Sequence, residues 1–264
     1  NNLRHRHNIV TAEIAEKKKR GEDASKEILE AKEIPTKIKE LEDKVEEDKV
    51  RINEILFSLP NILHVSVPFG KDESDNVVLR VWGKPPKFDF EPKNHLEVAL
   101  NLDLIDEERA GKVAGRGFVY LKKELVLLDY AIVRYAMDFL VKKGYALVEP
   151  PFMIRREPYE GVVELADFEN VMYKIENEDL YLIATSEHAI ASMYMNEVIN
   201  RNDLPFKIVG VSPNFRKEVG THGKYTKGLF RMHQFNKVEQ FVFCHPEQSW
   251  ELFEEIQRNA EELY

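Results

Sequence analysis

The sequence predicts an α+β protein: an N-terminal antiparallel helical hairpin followed by an antiparallel sheet flanked by helices. Three observations carry that expectation. Residues 1 to about 57 keep a heptad-like apolar spacing with one polar interruption. Residues 125–140 repeat apolar side chains at helical spacing. Two strand-like segments, "FKIVGV" and "LFRMHQFNKVEQFVF", follow each other near the end of the chain. With 264 residues, 43% of them apolar, the chain is long enough for one large domain and an accessory element.

The hairpin comes first. Leu3, His7, Val10 and Ile14 are spaced 4-3-4, and Ile34, Ile38, Leu41, Val45, Asp48, Ile52 and Ile55 alternate fours and threes. That is a heptad seam with one polar break at Asp48. "RGEDAS", Arg20 to Ser25, separates the two patterns, so residues 1–58 read as one helix up, a turn at Gly21 and one helix back. Pro35 is expected to kink the second helix or delay its start. The stripe itself is explained by packing. The charge split is not: residues 1–20 hold six Lys/Arg against two Glu, while residues 21–57 hold seven basic and twelve acidic side chains. Part of that asymmetry suits pairing between the helices, and the surplus on the first helix suits a phosphate backbone.

Residues 59–94 change character. Pro60, Pro68, Pro85, Pro86 and Pro92 break helices, and "NVVLRVWG" alternates, so this stretch reads as a connector with short strands. Residues 95–264 then form the core. Leu125, Leu128, Ile132, Tyr135, Ala136, Phe139 and Leu140 mark a helix stopped at Gly144. "YALVEPPFM" is a strand ended by Pro150 and Pro151, "DLYLIATSE" a buried strand, and "EHAIASMYMNEVI" a helix beginning near Glu187.

Composition excludes several classes. One cysteine, Cys244, rules out an internal disulfide and any multi-cysteine metal site, and it suits a reducing cytoplasm. No apolar run approaches the ~20 residues of a membrane helix. A net charge of −9 argues against non-specific nucleic-acid binding by the whole surface but leaves room for local basic faces. His188, His222, His233 and His245 lack metal-ligand spacing, and no metal site is expected. Glu157, Glu160, Glu164 and Asp167 read as a solvated acidic loop. The chain lacks a starting Met and a signal-peptide pattern, and both ends fall inside helical patterns, so a longer protein is expected around it.

Chemistry concentrates in two places. Side chains alternate faces along a strand, so Leu229, Arg231, His233, Phe235, Lys237, Glu239 and Phe241 share one face, with Arg216 and Glu218 on the preceding strand able to join them. Phe235 and Glu239 are four residues apart, roughly 13 Å along a strand. That span matches the reach from a purine ring to the end of a small acyl group joined through one phosphate. The face offers an aromatic plate, two guanidinium forks and two carboxylates; such forks suit phosphate and carboxylate groups. A cross-strand ion-pair ladder beside a surface Phe would explain the same residues. The sixteen residues from Arg216 to Arg231 weigh against it, because a plain hairpin needs ~2–5 loop residues. Gly220, Gly223 and Gly228 with His222, Lys224 and Lys227 suggest a basic flap. In "ATSE", Thr185, Ser186 and Glu187 sit at a strand end and a helix start; a capping hydroxyl and a dipole-favoured Glu account for them without any ligand.

Four stretches, in order and after a hairpin arm, resemble the seryl-tRNA synthetase family of class II aminoacyl-tRNA synthetases, of the bacterial-like type also found in archaea. "SLPNILHVSVPFG" with "DNVVLRVWG" resembles the family's connector, "GYALVEPPFM" its motif 1, "IATSEH" its Thr-x-Glu serine-binding element, and "FRKE…GLFRMHQFNKVE" its motif 2. The resemblance covers essentially the whole chain; motif 2 is highly specific, and Thr-x-Glu alone is weak. It implies a class II catalytic core and an AMP-forming serine-tRNA ligase. Carried over, Thr185 and Glu187, with Ser186 between them, match residues holding the serine α-amino group, and Glu239 the acceptor of the serine hydroxyl. Arg216 matches the catalytic arginine bridging α-phosphate and serine carboxylate. Glu218 matches a residue near the adenine amino group and Phe235 the ring stacked on adenine; Lys217, Arg231 and Met232 fall on the ATP side. The loop Val219 to Leu229, with Lys224 and Lys227, matches the segment meeting the tRNA acceptor end. The hairpin, through Arg4, Arg6, Lys18 and Arg20, matches the arm that grips serine tRNA. ATP with Mg2+, serine, serine tRNA (and selenocysteine tRNA where a cell has one), a homodimer through the motif 1 region and a cytoplasmic setting are implied too. "AGRGFVYL" departs from the family order because Gly117 precedes Phe118, and motif 3 is expected beyond Tyr264. A non-catalytic RNA-binding or coiled-coil homologue and a ligase loading a carrier protein are the alternatives; the intact motif 2 and the long arm favour the tRNA reading.

Overall fold

The structure, a computed structural model, describes residues 1–163, 170–218 and 229–264. It forms two compact units, residues 1–67 and 68–264.

The first unit is the helical hairpin, α1 (Asn2–Arg20) and α2 (Ser25–Ser58). Gly21 ends α1 at φ 70°, a left-handed conformation that costs glycine little. The Gly21 and Glu22 N–H groups then donate to the Lys18 and Lys17 carbonyls, which satisfies the helix end. The Asp23 carboxylate accepts from Ser25 N and Oγ and opens α2. Pro35 does not delay the helix, which starts at Ser25 and runs through it. The proline removes only the bond to the Ala31 carbonyl, and the Glu33–Lys37 pair at 3.2 Å straddles the gap. Val10 on α1, Ala24 in the turn and Ile34 on α2 are buried. The predicted seam is covered only in part: Leu41, Val45, Ile52 and Ile55 are all more than half exposed. Length explains this, since 19 residues reach about 28 Å and 34 reach about 51 Å, so α1 leaves the far half of α2 uncovered.

The expected short strands of residues 59–94 are not formed; the regular structure there is one 3-10 turn, Glu73–Asp75. Val77, Val78, Leu79 and Val81 alternate in sequence but stay exposed, because no described strand offers their backbone a ladder. Arg80 instead holds Glu254 and Glu261 at 3.3 and 2.7 Å.

The second unit continues with α3 (His95–Asn101), capped reciprocally by Asn94 and Glu97. β1 (Ile105–Asp106) pairs antiparallel with β2 (Tyr120–Leu121) around α4 (Glu107–Val113). α5 (Glu124–Lys142) stops before Gly144, at φ 88°, as expected. Then come β3 (Ala146–Val148), β4 (Met153–Ile154), α6 (Arg156–Glu160) and β5 (Tyr181–Leu182), with β4 and β5 antiparallel. α7 (Ser186–Ala191) is shorter than the apolar pattern suggests. The Ser192 hydroxyl donates back to the His188 carbonyl at 2.7 Å, a bond that competes with helix continuation. β6 (Phe206–Phe215), β7 (Gln234–Phe243) and α8 (Ser249–Leu263) complete the unit.

The main sheet has the order β3-β6-β7. β6 and β7 pair antiparallel over their full length, while β3 joins β6 in parallel, which the sequence reading did not anticipate. The long crossover through residues 149–205 permits it. Leu140 and Tyr145 pack on Val209, with Phe139, Val238 and Val242 around them, fixing α5 against the sheet. Buried Asn259 donates to Gln240 and to the Tyr145 hydroxyl, anchoring α8. Burial, then Glu255, pushes the Tyr145 phenol up to about 12.

Candidate functional site

The site is built where the start of α7 meets β6 and β7. Gly210 on β6 lies opposite Glu239 on β7. A Cβ at Gly210 would come within 2.5 Å of Ser186 Oγ and 2.6 Å of Ile190 Cδ1. The missing side chain therefore lets α7 sit directly on the sheet. Thr185 caps α7, its Oγ1 accepting from Glu187 N at 3.2 Å, as the capping reading predicts.

The same capping segment also holds Glu239. Thr185 Oγ1 donates to Glu239 Oε2, Ser186 Oγ donates at 2.9 Å and Glu187 N at 3.2 Å. Lys237 Nζ meets the other oxygen, Oε1, at 2.8 Å. Burial alone would raise this carboxyl; the donors Lys237, Thr185 and Ser186 outweigh it and hold it below its ordinary value. Glu239 is therefore an ionised, half-buried carboxylate. Glu187 joins through its backbone, and its side chain is exposed.

Beyond the sheet edge lies a second group. The predicted alternation holds for Phe235, Lys237 and Glu239, which are in β7, but not for Arg231 and His233, which precede it, nor for Arg216 and Glu218, which follow β6. Other contacts bring these residues in. Phe215 N donates to Ile183 O at 2.9 Å, setting Ala184 beside Arg216. Arg216 Nε donates to Ala184 O at 3.2 Å, and its guanidinium lies 5.2 Å from the Phe235 ring centre. Arg231 Nε donates to the Glu218 carboxylate. A cavity of about 550 Å³ is lined by Arg216, Glu218, Arg231, Met232 and Phe235. A second, about 310 Å³, is lined by Thr185, His188, Arg216, Lys217 and Glu218 among others. Arg216, Glu218 and Arg231 belong to both. The structure thus brings every expected nucleotide-side residue to one connected cleft, with Thr185 at its far end.

Five residues to which the motif reading gave no role shape this region. Lys237 and Gly210 act as described. His233 stacks on Phe118 at 5.0 Å, its Nδ1 pairs with the Tyr173 hydroxyl, and its carbonyl accepts from Arg216 N at 2.9 Å. Gly117, the departure from the family order, is what makes room: at φ 84°, any Cβ there would lie within 2.9 Å of His233 Nε2. His188 is buried, set edge-on to Tyr159 at 4.9 Å, and its Nδ1 has no hydrogen-bond partner among the described residues. Burial, aided by Lys237 and Arg216 and opposed by Glu239, pushes its pKa down to about 4. The imidazole is neutral at physiological pH.

On the hairpin, the basic residues mostly meet acids. Arg4 pairs with Glu42 at 2.5 Å, Arg6 with Glu30 at 2.7 Å, and Lys17 with Glu27 at 2.8 Å across the helices; Arg20 pairs with Glu16 within α1. Lys18 has no ion-pair partner among the described residues. Lys224 and Lys227 lie outside the described residues. Among those described, no group of three or more His, Cys, Asp or Glu could hold a metal, and no helix is long and apolar enough to cross a membrane.

Comparison with known proteins points to a family. The seryl-tRNA synthetase N-terminal domain matches residues 1–63, and the class II tRNA synthetase core domain (G, H, P, S and T) matches residues 170–264. The serine–tRNA ligase of Methanocella arvoryzae is 54% identical over 262 residues, 99% of this chain and 62% of that protein. That of Pyrococcus horikoshii is 49% identical across 100% of this chain and 62% of its own length. The crystal structure of seryl-tRNA synthetase from Pyrococcus horikoshii complexed with ATP superposes with a TM-score of 0.89 at 48% identity, over 100% of this chain and 63% of that one. The cytoplasmic serine-tRNA ligase of Naegleria fowleri in complex with AMP gives 0.82 at 30% identity, over 99% and 64%. The chain spans about 62% of the length of the curated relatives it matches. With a seryl-tRNA synthetase N-terminal domain at one end and a class II core at the other, the chain belongs to the seryl-tRNA synthetase family.

Proposed function

We propose that the full-length protein carrying this chain activates serine with ATP and transfers it to serine tRNA, and to selenocysteine tRNA where a cell has one. The observation that supports this most is the pairing of one ionised carboxylate, Glu239, tied to the Thr185–Glu187 segment, with the Arg216–Phe235 stack. In the first step a serine carboxylate oxygen attacks the ATP α-phosphorus; the bond to the β-phosphate bridging oxygen breaks and pyrophosphate leaves. In the second, a terminal ribose hydroxyl of tRNA attacks the seryl carbonyl, and AMP departs with the carbonyl–oxygen bond electrons.

The protein's part is positioning and charge neutralisation. Phe235 offers its ring to adenine, and Glu218, Arg231, Met232 and Lys217 line the nucleotide's end of the cleft. Arg216, held by Ala184 O through Nε, presents its remaining N–H groups to the α-phosphate and serine carboxylate. Glu239 and Thr185 receive the serine hydroxyl and ammonium, with the exposed Glu187 carboxylate available to the ammonium. The Mg2+ expected with ATP would sit on the nucleotide phosphates and supply charge neutralisation there.

Two further parts of the reading concern partners. Leu127, Leu128, Tyr130, Ile132 and Tyr135 expose an apolar face on α5, the motif 1 region, which suits a two-fold homodimer. The hairpin suits tRNA: exposed pairs such as Arg4–Glu42 contribute little and can exchange a carboxylate for a phosphate. The match of residues 1–63 to the synthetase N-terminal domain favours tRNA over a carrier protein as acceptor. The lone cysteine suits a cytoplasmic setting. Serine-dependent exchange of pyrophosphate into ATP, followed by charging of serine tRNA, tests the activity; an absence of both in the full-length protein refutes it.

A further inference from the structure

Counting the donors on Glu239 leads beyond that reading, though it rests on it. A carboxylate accepts about four hydrogen bonds, two per oxygen. Oε2 already receives Thr185 Oγ1, Ser186 Oγ and Glu187 N, three donors fixed to one capping segment. It has no direction left for a ligand. Oε1 receives Lys237 Nζ at 2.8 Å and has about one direction left. The groups around this carboxylate are the cap residue Thr185, Ser186, the Glu187 N–H and His188 on α7, Lys237 on β7 and side-chain-free Gly210 on β6. Arg216, past the end of β6, acts electrostatically on the neighbouring His188. Among the described residues, Lys237 is the one cation in direct contact.

We propose that Lys237 is a positioning residue of the amino-acid subsite: its ammonium fixes Glu239 as a carboxylate with a single acceptor position, on Oε1, for the substrate. The consequence is chemical. Glu239 can take one donor from the amino acid, the hydroxyl or one ammonium N–H, and that donor shares Oε1 with Lys237. Lys237 itself does not act on the reacting atoms. Without it, a half-buried carboxylate faces burial with neutral donors only, and protonation becomes easier. A protonated Glu239 donates where the substrate also needs to donate.

The test uses the full-length protein and binding of serine with a non-hydrolysable ATP analogue, measured by calorimetry from pH 5 to pH 8.5. Lys237→Met keeps length and removes charge; Lys237→Arg keeps the charge. In the wild type, affinity should change less than about twofold between pH 8 and pH 5.5. In Lys237→Met it should be nearly retained at pH 8 but fall roughly tenfold by pH 5.5. Lys237→Arg should restore the wild-type profile. If Lys237→Met binds serine with the wild-type pH profile, or if Lys237→Arg behaves like Lys237→Met, the proposal is overturned. Should Lys237→Met fail to fold, Lys237→Gln supplies the neutral variant with the same expected loss. Absence of serine binding by the wild type at any pH would instead remove the proposed function, which is a distinguishable result.

Discussion

Gly210→Ala probes the step that assembles the site. The added methyl would sit 2.5 Å from Ser186 Oγ and 2.6 Å from Ile190 Cδ1. Comfortable carbon contacts lie near 3.5–4.0 Å, so α7 or β6 must yield by about 1 Å. Ser186 is fully buried and Ile190 nearly so, and neither can swing into solvent. Overpacking of that kind costs about 1–3 kcal/mol. For a unit of this size the loss corresponds to a fall in Tm of about 2–4 °C per kcal/mol. A 1 Å retreat of α7 would also stretch the 2.9 Å Ser186–Glu239 bond beyond hydrogen-bonding range. Serine affinity should therefore drop together with stability. Gly111→Ala is the control: in α4, with nothing within 4 Å of the added carbon, it should be neutral or stabilising by up to about 1 kcal/mol. Calorimetric unfolding and serine titration on both variants decide the matter. Equal melting temperatures and unchanged serine affinity in Gly210→Ala would refute the claim that direct α7–β6 contact positions residues 185–187.

Other outcomes follow from the same geometry. His188 has its folded pKa lowered to about 4 by burial, against an ordinary value near 6.5, so between those values the unfolded chain binds a proton that the folded chain does not. Stability is full above that window and falls as pH drops through it, by about 2 kcal/mol near pH 5. Denaturant titrations should show His188→Leu losing less stability than the wild type between pH 7 and pH 5; parallel losses would contradict the buried neutral imidazole. On the hairpin, replacing Arg4, Arg6, Lys18 and Arg20 with Ala should weaken tRNA binding and flatten its salt dependence, leaving serine activation without tRNA intact. Unchanged tRNA affinity at low salt would make these residues purely structural.

The elements most legible in sequence were those whose signal is local. Gly21 and Gly144 announced helix ends because a left-handed residue was needed there, and the period of Leu125–Leu140 announced α5. Strand periodicity placed Phe235, Lys237 and Glu239 on one face. It failed for Arg231 and Arg216, which lie outside the strands: Arg216 is held through its backbone N–H by His233 O and through its side chain by Ala184 O, and Arg231 by its pair with Glu218. It also failed for "NVVLRVWG", because alternation states a preference while a strand requires a partner. The parallel pairing of β3 was hidden for the same reason: residues 146–148 and 208–210 are far apart in sequence. Thr185 and Glu187 looked like a helix cap and are one; nothing local revealed that Glu239 shares the same hydroxyl. Lys237 was visible on the right face, but its contact with Oε1 depends on side-chain conformation.

The central claim is that Glu239 reads the serine hydroxyl at a cleft whose charge is managed by Arg216. Pyrophosphate exchange by the full-length protein, with serine and with alanine, on wild type, Arg216→Ala and Glu239→Gln, tests it most directly. The account predicts serine-dependent exchange in the wild type and its near loss in Arg216→Ala for either amino acid. Glu239→Gln should cut serine activation roughly tenfold to a hundredfold, the loss of a hydrogen bond to a charged group of ~1.5–3 kcal/mol, with a far smaller effect on alanine. Equal losses for serine and alanine in Glu239→Gln, or exchange that survives in Arg216→Ala, would contradict it.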